Sequence, residues 1–364
     1  MMAIDPYIDQ NIILPTEKVV TAKNMVQWGD KNLYPHYLLT LYKNVATLAS
    51  IINGNVDYIC GNDITLGVQV NDMELGVLDK KGNTIREQVR DLALSYELYG
   101  GFALQIIRNR LGEIAEIHAI DLRFLRWNED ADVFYYSEKW DKGGRVNPIT
   151  YPAYQKNLDW ASLDDSARER NASSILLVKN TRSQVYPLPI YASAVKACEI
   201  EKNIDNFHLN SLENNFVSSL IINFNNGEPN DQQKEEIEDE VNEKFSGHQN
   251  AGRIMLCWNK DRTSATTITE PQVHDFGARY DALAKHSRQQ IFSAFRAVPA
   301  LFGINPENTG FSETEYNEAF KLYNRTMIQP IQRTIIETYE KLLGAGVLTI
   351  VPFSLTSDTE KNVQ

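Results

Sequence analysis

Several residue patterns are missing from this 364-residue chain, and each absence removes a class of protein. The cysteines lie far apart without C-x-x-C spacing, so neither a disulfide framework nor a zinc site is predicted for Cys60, Cys198 and Cys257. No apolar run approaches the roughly 20 residues of a membrane-spanning helix. The N-terminal residues have no basic start followed by an apolar run, so we expect no signal peptide. These features predict a protein with buried, reduced thiols, made in a cytoplasm.

Catalytic and nucleotide-binding signatures are missing as well. The sequence has no G-x-x-x-x-G-K-[ST] motif of an ATP-driven motor, and no G-x-S-x-G or G-x-G-x-x-G motif. Its histidines form no pair with metal-ligand spacing. Carboxylates within residues 121–132 could serve a metal-dependent nuclease, although a two-metal site needs several convergent acids. The alternative, which we favour, is an exposed turn between strands. We therefore predict no enzyme, no cofactor and no metal.

The net charge of the chain limits the kinds of partner that it can bind. The chain has 36 basic and 48 acidic residues, a net charge of −12, so it does not resemble a protein that grips phosphates by charge. An acidic wall is compatible with a channel through which DNA passes without being held. Solubility alone would also explain the acidity, and charge does not separate the two interpretations. The length favours two or three packed units.

Hydrophobic spacing predicts an α+β fold. Apolar residues at helical spacing predict helices over residues 35–53, 84–99, 190–213, 231–245, 272–297 and 312–343. Short strand-like runs follow at residues 102–109, 113–120, 124–128, 133–140, 174–180, 218–224, 252–258 and 348–353. Val298-Pro299 should end the helix 272–297, because proline lacks a backbone donor and restricts the residue before it. Ser312 and Glu315 have the spacing of a capping box for the next helix.

Two stretches of the sequence contain specific residue patterns in this order of elements. A helix ending in Ile291, Ser293, Ala294 and Phe295 runs into Val298, Pro299, Leu301 and Gly303, and then come Ser312, Glu315 and Pro330. Near the N-terminus the chain reads Asp30-Lys31-Asn32-Leu33-Tyr34-Pro35, then Ile51-Ile52-Asn53-Gly54 and Ile59-Cys60-Gly61. Both patterns resemble the portal proteins of tailed bacteriophages, over roughly residues 24–343. None of these motifs is catalytic, so the resemblance rests on their order.

The resemblance implies a portal-like fold with long stem and tunnel helices, an inserted β-rich clip and a mixed α/β wing. The implied divisions are wing 1–83, first stem helix 84–99, clip 100–188, second stem helix 189–215, wing strands and an acidic helix 216–271, tunnel helix 272–297, tunnel loop 298–311 and crown 312–364. The strands 102–140 could instead belong to the wing.

The resemblance also implies a function. A portal is a closed homo-oligomeric ring, expected to hold twelve subunits, at one vertex of the virion capsid. Double-stranded DNA enters and leaves through it without sequence specificity. Its expected partners are the terminase large subunit, the major capsid and scaffold proteins and a head-tail adaptor. An acidic adaptor protein of a virion remains an alternative, as does the nuclease.

Three sets of residues are candidates for these roles. The DNA-channel loop would use Val298, Pro299, Leu301, Phe302, Asn305 and Asn308, although apolar loop residues can equally fill a core. The channel-lining helix would present Glu199, Lys202, Asp205 and Asn206. Charge pairing between subunits would use Glu235, Glu236, Asp239, Arg279 and Arg288, with a solvated acidic face as the alternative for the acidic helix.

Overall fold

The computed structural model describes residues 17–20, 24–67, 78, 80–141, 146–181, 184–213, 221–224, 229–237, 255–259, 276–304 and 313–353. They form helices and several small sheets, in agreement with the predicted mixed fold class. The chain separates into two compact units. The main unit comprises Met1–Cys198 and Arg288–Gln364, and the inserted unit comprises Glu199–Ser287.

The first sheet is a two-stranded antiparallel ladder of β1 (Glu17–Val20) and β2 (Met25–Trp28). A tight turn follows in which Gly29, Lys31 and Asn32 all have positive φ, at 78°, 52° and 66°. Glycine adopts this region freely, and asparagine is one of the few side chains that tolerates it. The turn therefore depends on the residue types at both of its ends.

Two helices follow where the spacing predicted one over residues 35–53. These are α1 (Tyr34–Asn44), with Pro35 in its first turn, and α2 (Ala46–Cys60). The chain breaks between them at Val45, which is extended at φ −114° and ψ 105°. Its side chain is 1% exposed, so burial of this β-branched residue accompanies the break.

Helix α3 (Ile85–Tyr99) begins with a complete capping box. The Thr84 side chain accepts from the Glu87 backbone N–H, and the Glu87 side chain accepts from the Thr84 backbone N–H. The helix ends at Gly100, whose φ of 82° is left-handed. These ends agree with the predicted helix 84–99.

The assignment of this helix as the first stem helix stays a prediction. Its buried residues lie around much of the helix: Ile85, Gln88, Val89, Leu92, Ala93, Ser95, Glu97, Leu98 and Tyr99. It packs against α2 on one side and the strand after it on another. Only its first half has an exposed face, with Arg86, Glu87, Arg90 and Asp91.

The predicted β-rich region contains two separate three-stranded sheets. The first has the order β5-β4-β9, with β4 (Gly101–Arg108) antiparallel to both β5 (Ile114–Ile120) and β9 (Ser173–Lys179). The second has the order β6-β7-β8, with strands Leu125–Trp127, Val133–Tyr136 and Ile149–Pro152. A short helix, α4 (Asp165–Asn171), precedes β9. The residues 100–188 thus share the core of the main unit and do not form a module of their own.

The inserted unit begins within helix α5 (Val195–Glu213) and ends within helix α6 (Phe276–Ala294). Strands β10 (Ile221–Phe224) and β11 (Met255–Trp258) pair in parallel between these helices. Residues 231–237 are helical, within the predicted acidic helix. Helix α6 is shorter than the predicted 272–297, and residues 272–275 lie outside the described part of the chain.

The C-terminal part of the main unit has two helices joined by a π-helical turn. They are α7 (Glu313–Tyr323) and α8 (Gln329–Leu343), with the π turn at Asn324–Ile328. Pro330 follows directly after the π turn, inside a continuous run of helical backbone, where it lacks the donor of a helical hydrogen bond. Strand β12 (Leu348–Val351) then pairs with β3 (Asp63–Leu66), which joins distant parts of the chain. The predicted N-cap Ser312 lies outside the described residues.

One large hydrophobic cluster runs through the main unit. Its fully buried members come from α1, α2, α3, both three-stranded sheets and the segment around Phe295 and Leu301. In the described residues, no helix combines the length and the apolar character needed to cross a membrane.

Candidate functional site

The turn after α6 is the first candidate, and its backbone is strongly specified. Arg296 has a φ of 51°, and Val298 is extended. Pro299 opens a 3₁₀ turn that runs to Phe302 and ends at Gly303, whose φ is 78°. The break predicted at Val298-Pro299 is therefore present, and the left-handed glycine ends the turn.

The side chains of this turn point into the subunit. Leu301 is 6% exposed, and its carbonyl accepts a hydrogen bond of 2.9 Å from the Tyr58 hydroxyl. The ring of Phe302 lies 6.2 Å from the ring of Tyr58 and 5.8 Å from that of Tyr323. A Cβ atom added to Gly54 would lie 2.7 Å from Phe302 Cε1, so only glycine leaves room for this ring.

These contacts favour a core position for Leu301 and Phe302, the alternative left open by the sequence. Leu301 is buried in the core of the main unit, and Phe302 is half-buried against it. Val298 and Pro299 are half-buried, whereas Asn305 and Asn308 lie outside the described residues. Two apolar side chains thus anchor the turn, and a channel role for this loop stays a prediction.

A buried polar chain lies directly behind Phe302. The Tyr323 hydroxyl donates to Asn55 Oδ1 at 2.7 Å, and Asn55 Nδ2 donates to Glu97 Oε2 at 3.1 Å. Glu97 is 3% exposed. Burial raises the pKa of its carboxyl to about 7, and the hydrogen bond from Asn55 lowers it only in part. Hydrogen bonds thus connect the helices α2, α3 and α7 to the Glu97 carboxyl, which is only partly ionised near neutral pH.

The candidates for a channel-lining helix lie on α5. Asp205 and Asn206 are exposed, whereas Glu199 and Lys202 are half-buried. Lys202 Nζ lies 3.5 Å from Glu199 Oε2, an ion pair one turn apart. All four side chains thus reach solvent in the single subunit, which is compatible with a surface role.

The sequence of this chain matches a known family. The family model described as phage portal protein matches residues 80–359, which is well over half of the chain. The chain belongs to the phage portal protein family. Proteins of this family are structural components of virions and head-tail connectors.

Solved structures of portal assemblies share the fold. The neck of a native gene transfer agent particle, computed with C12 symmetry, is 17% identical with a TM-score of 0.52, covering 90% of this chain and 86% of that one. The virion of the same kind of particle is 18% identical with a TM-score of 0.51, covering 86% and 83%. An HK97-family phage portal protein from Corynebacterium diphtheriae is 9% identical with a TM-score of 0.52, covering 86% and 94%.

A curated relative matches a smaller part. An uncharacterized protein of Rickettsia felis is 33% identical over 110 residues, which is 30% of this chain. The match spans 27% of that relative's own length. It adds no activity to the portal assignment.

The subunit-contact candidates of this portal-family chain are spread over two regions. Glu235 and Glu236 are exposed on the helical residues 231–237, and Arg288 is exposed on α6. Asp239 lies outside the described residues, and the side chain of Arg279 is not described. The charge pairing between these groups stays a prediction.

Two of the carboxylates proposed for a nuclease bind local partners. Asp121 Oδ2 pairs with Arg123 Nη2 at 2.9 Å, and Asp132 Oδ1 accepts from Asn128 Nδ2. A cavity of about 600 Å³ near Asp121 is also lined by Glu87, Asp91 and Glu116. Across the described ranges, no group of three or more metal-ligating side chains is close enough to hold an ion.

Sequence reasoning missed the buried cation behind the N-terminal motif. Arg126 is fully buried, and its guanidinium donates to Asn32 Oδ1 and to the Asn32 carbonyl. Asn32 Oδ1 also accepts from the Trp28 backbone N–H at 2.9 Å. Arg126 lies over the rings of Trp28 and Trp140, at 5.6 and 5.2 Å. A lone arginine inside a short strand gives no sequence signal of this role.

Proposed function

We propose that this protein is the subunit of a portal ring at one vertex of a bacteriophage or prophage capsid. Double-stranded DNA would pass through the ring during genome packaging and ejection. The observation that carries the proposal is the family match over residues 80–359, supported by the similarity of fold to a neck portal solved with C12 symmetry. The subunit would have no catalytic role of its own.

The channel surface is proposed for one face of α5. Glu199 and Asn206 are seven residues apart, so they lie on one stripe of the helix about 70° from the stripe of Lys202 and Asp205. We assign the stripe of Glu199 and Asn206 to the channel lumen. A carboxylate and an amide would repel or weakly contact phosphate, so DNA would slide and not be held.

Partner docking is proposed for the inserted unit. It is a compact body between two long helices, which suits a module that contacts another protein complex. In this proposal Glu199–Ser287 is the docking module, and the clip implied for residues 100–188 is not. The terminase large subunit would dock there during packaging, and the head-tail adaptor later. The major capsid and scaffold proteins would surround the main unit.

The tunnel loop keeps a reduced set of candidate residues. Leu301 and Phe302 anchor the turn in the core, which leaves Val298, Pro299, Asn305 and Asn308 as candidates to approach DNA. An uncharged polar surface of this kind would contact phosphates weakly. The anchor would hold the loop in place while it does so.

Native mass spectrometry with negative-stain class averages tests the ring. We expect closed particles of about twelve subunits with a central hole, formed by head-to-tail contacts. A stable dimer without a hole would reject the ring and favour the adaptor function. Incubation of plasmid DNA with the purified protein and Mg²⁺ or Mn²⁺ should leave the DNA intact, and metal-dependent cleavage would favour a nuclease.

A further inference from the structure

Large apolar side chains are unusually exposed on the two helices of the inserted unit. Of the nine exposed large hydrophobic residues among those that the structure describes, three lie on α5 and α6. They are Phe207 at 45%, Leu209 at 54% and Leu283 at 40% exposure. Their concentration on one helix pair indicates a surface that another protein covers.

The side of α5 that faces away from its own α6 is identified by a ring contact. The ring of Phe207 stacks on that of Tyr280 in α6, at 4.8 Å between centroids and 24° between planes. Leu209 is two residues further on, about 200° around the helix, so it lies on the opposite side. Asp205 and Lys202 precede it by four and seven residues and share its stripe.

Helix α6 has a matching stripe on its own far side. Ala282, Lys285 and Gln289 lie about 140–200° around the helix from Tyr280. All three residues are exposed. The stripe is flat, because its first member is alanine. Leu283 lies outside the stripe, about 60° around the helix from Tyr280.

One pair of opposite charges and the spacing make the two stripes complementary. Asp205 on the α5 stripe is acidic and Lys285 on the α6 stripe is basic, in helices whose sequences have net charges of −2 and +2. The chain enters the inserted unit along α5 and leaves along α6, so the helices have opposite directions there. An antiparallel match places Leu209 on Ala282, Asp205 on Lys285 and Lys202 on Gln289.

We propose that the α5 stripe of one subunit docks on the α6 stripe of the next subunit. The inference rests on the proposed ring, and it adds the side chains that make the contact. The surfaces differ, so the contact is heterologous and can close into a ring. Rotation by about 30° between neighbours of a twelve-fold ring keeps the helices close to antiparallel.

Disulfide trapping tests the contact. The double variant Leu209→Cys with Ala282→Cys should give a ladder of covalent oligomers up to the full ring on a non-reducing gel after mild oxidation. Each single variant should stay monomeric on the same gel, because a heterologous contact never brings two copies of one residue together. The matched control combines Ala282→Cys with Asn203→Cys. Asn203 is exposed on α5 about 120° from Leu209, and this pair should not cross-link.

Native mass spectra of every variant separate the two proposals. Rings that form while the double variant stays monomeric on the gel would reject the contact and leave the portal function intact. Dimers from a single variant would show an isologous contact and also reject it. A parent chain that forms no ring at any concentration would reject the ring and the contact together.

Exchanging the charges of Asp205 and Lys285 tests the same contact without introducing cysteines. Asp205→Lys should reduce the fraction of chains in rings at least tenfold, and Lys285→Asp in the same chain should restore it. A double variant as defective as Asp205→Lys alone would contradict the pairing.

Discussion

At the scale of single residues, Asn32 connects backbone geometry with a buried charge. Few side chains tolerate its φ of 66°, and its Oδ1 atom accepts hydrogen bonds from the Trp28 backbone N–H and from Arg126 Nε. Burial lowers the pKa of the Arg126 guanidinium to about 10, so it stays protonated at neutral pH. The other acceptors of this cation include the carbonyl groups of Arg123 and Leu125. A buried arginine is stable only while such acceptors are present.

Replacing Asn32 should therefore destabilise the subunit strongly. Asn32→Ala leaves two buried donors without their acceptor and strains a left-handed residue, and we expect a loss of about 3 kcal/mol in the free energy of unfolding. Urea denaturation followed by tryptophan fluorescence measures it. Asn32→Asp keeps the acceptor, so it should cost no more than about 1 kcal/mol. Equal losses in both variants would show that the acceptor is unimportant.

Glu97 predicts a pH dependence of stability. Its pKa is raised in the folded chain, so the folded state binds more protons and stability falls as pH rises from about 4.5 through about 7. Glu97→Gln removes this titration while keeping an acceptor for Asn55. The variant should gain up to about 3 kcal/mol over the parent at pH 8 and little at pH 5. Parallel urea titrations at pH 5, 6, 7 and 8 measure the difference.

An exposed carboxyl provides the control for this experiment. Glu337 is exposed on α8, so Glu337→Gln in the same titrations controls for the loss of a carboxylate that is not buried. A gain for Glu97→Gln that is the same at pH 5 and pH 8 would exclude titration of Glu97 as its cause.

At the scale of elements, the sequence predicted features that depend on local signals and missed features that depend on contacts between residues far apart in the chain. The break at Val298-Pro299, the span of α3 and most strands were predicted because proline, helical spacing of apolar residues and strand alternation act locally. The burial of Leu301 was not decidable, because its partner Tyr58 is 243 residues away in sequence. The core position of α3 was missed for the same reason, since a β-sheet covers part of its surface.

The packing of Phe302 against α2 gives an element-scale prediction. Gly54→Ala places a methyl group 2.7 Å from the Phe302 ring, so the turn must shift. We expect a loss of about 2 kcal/mol in the free energy of unfolding. Adding Phe302→Leu to Gly54→Ala should recover part of it, because the shorter side chain vacates the contact. Thermal unfolding of the four chains of this double-mutant cycle provides the measurement.

An aspartate at position 302 distinguishes a core position of this side chain from a position in the channel. Phe302→Asp should strongly destabilise the subunit, because a carboxylate would replace a half-buried ring that packs against Tyr58 and Tyr323. A stable, ring-forming Phe302→Asp variant would place that side chain in the lumen after all.

At the scale of the whole molecule, the net charge of −12 would accumulate in the proposed ring. Repulsion between subunits extends over a Debye length of about 30 Å at 0.01 M salt but only about 8 Å at 0.15 M. Salt screens the long-range repulsion of the net charges more than the attraction of the close Asp205–Lys285 pair, so raising NaCl over this range should increase the fraction of chains in rings. Mass photometry at constant protein concentration measures that fraction. Sucrose at equal osmolality should have no such effect, and rings that dissociate with added salt would contradict the prediction.

The connection between the two units has an evolutionary consequence. The rings of Tyr191, just before α5, and Phe295, just after α6, stack 5.3 Å apart, so the chain leaves the main unit and returns to it at one place. The β3–β12 ladder closes the main unit independently of what lies between. Residues Glu199–Ser287 therefore form an insertion whose length and surface can change without disturbing the host fold. Members of the portal family can therefore change that segment while the fold of the main unit stays the same.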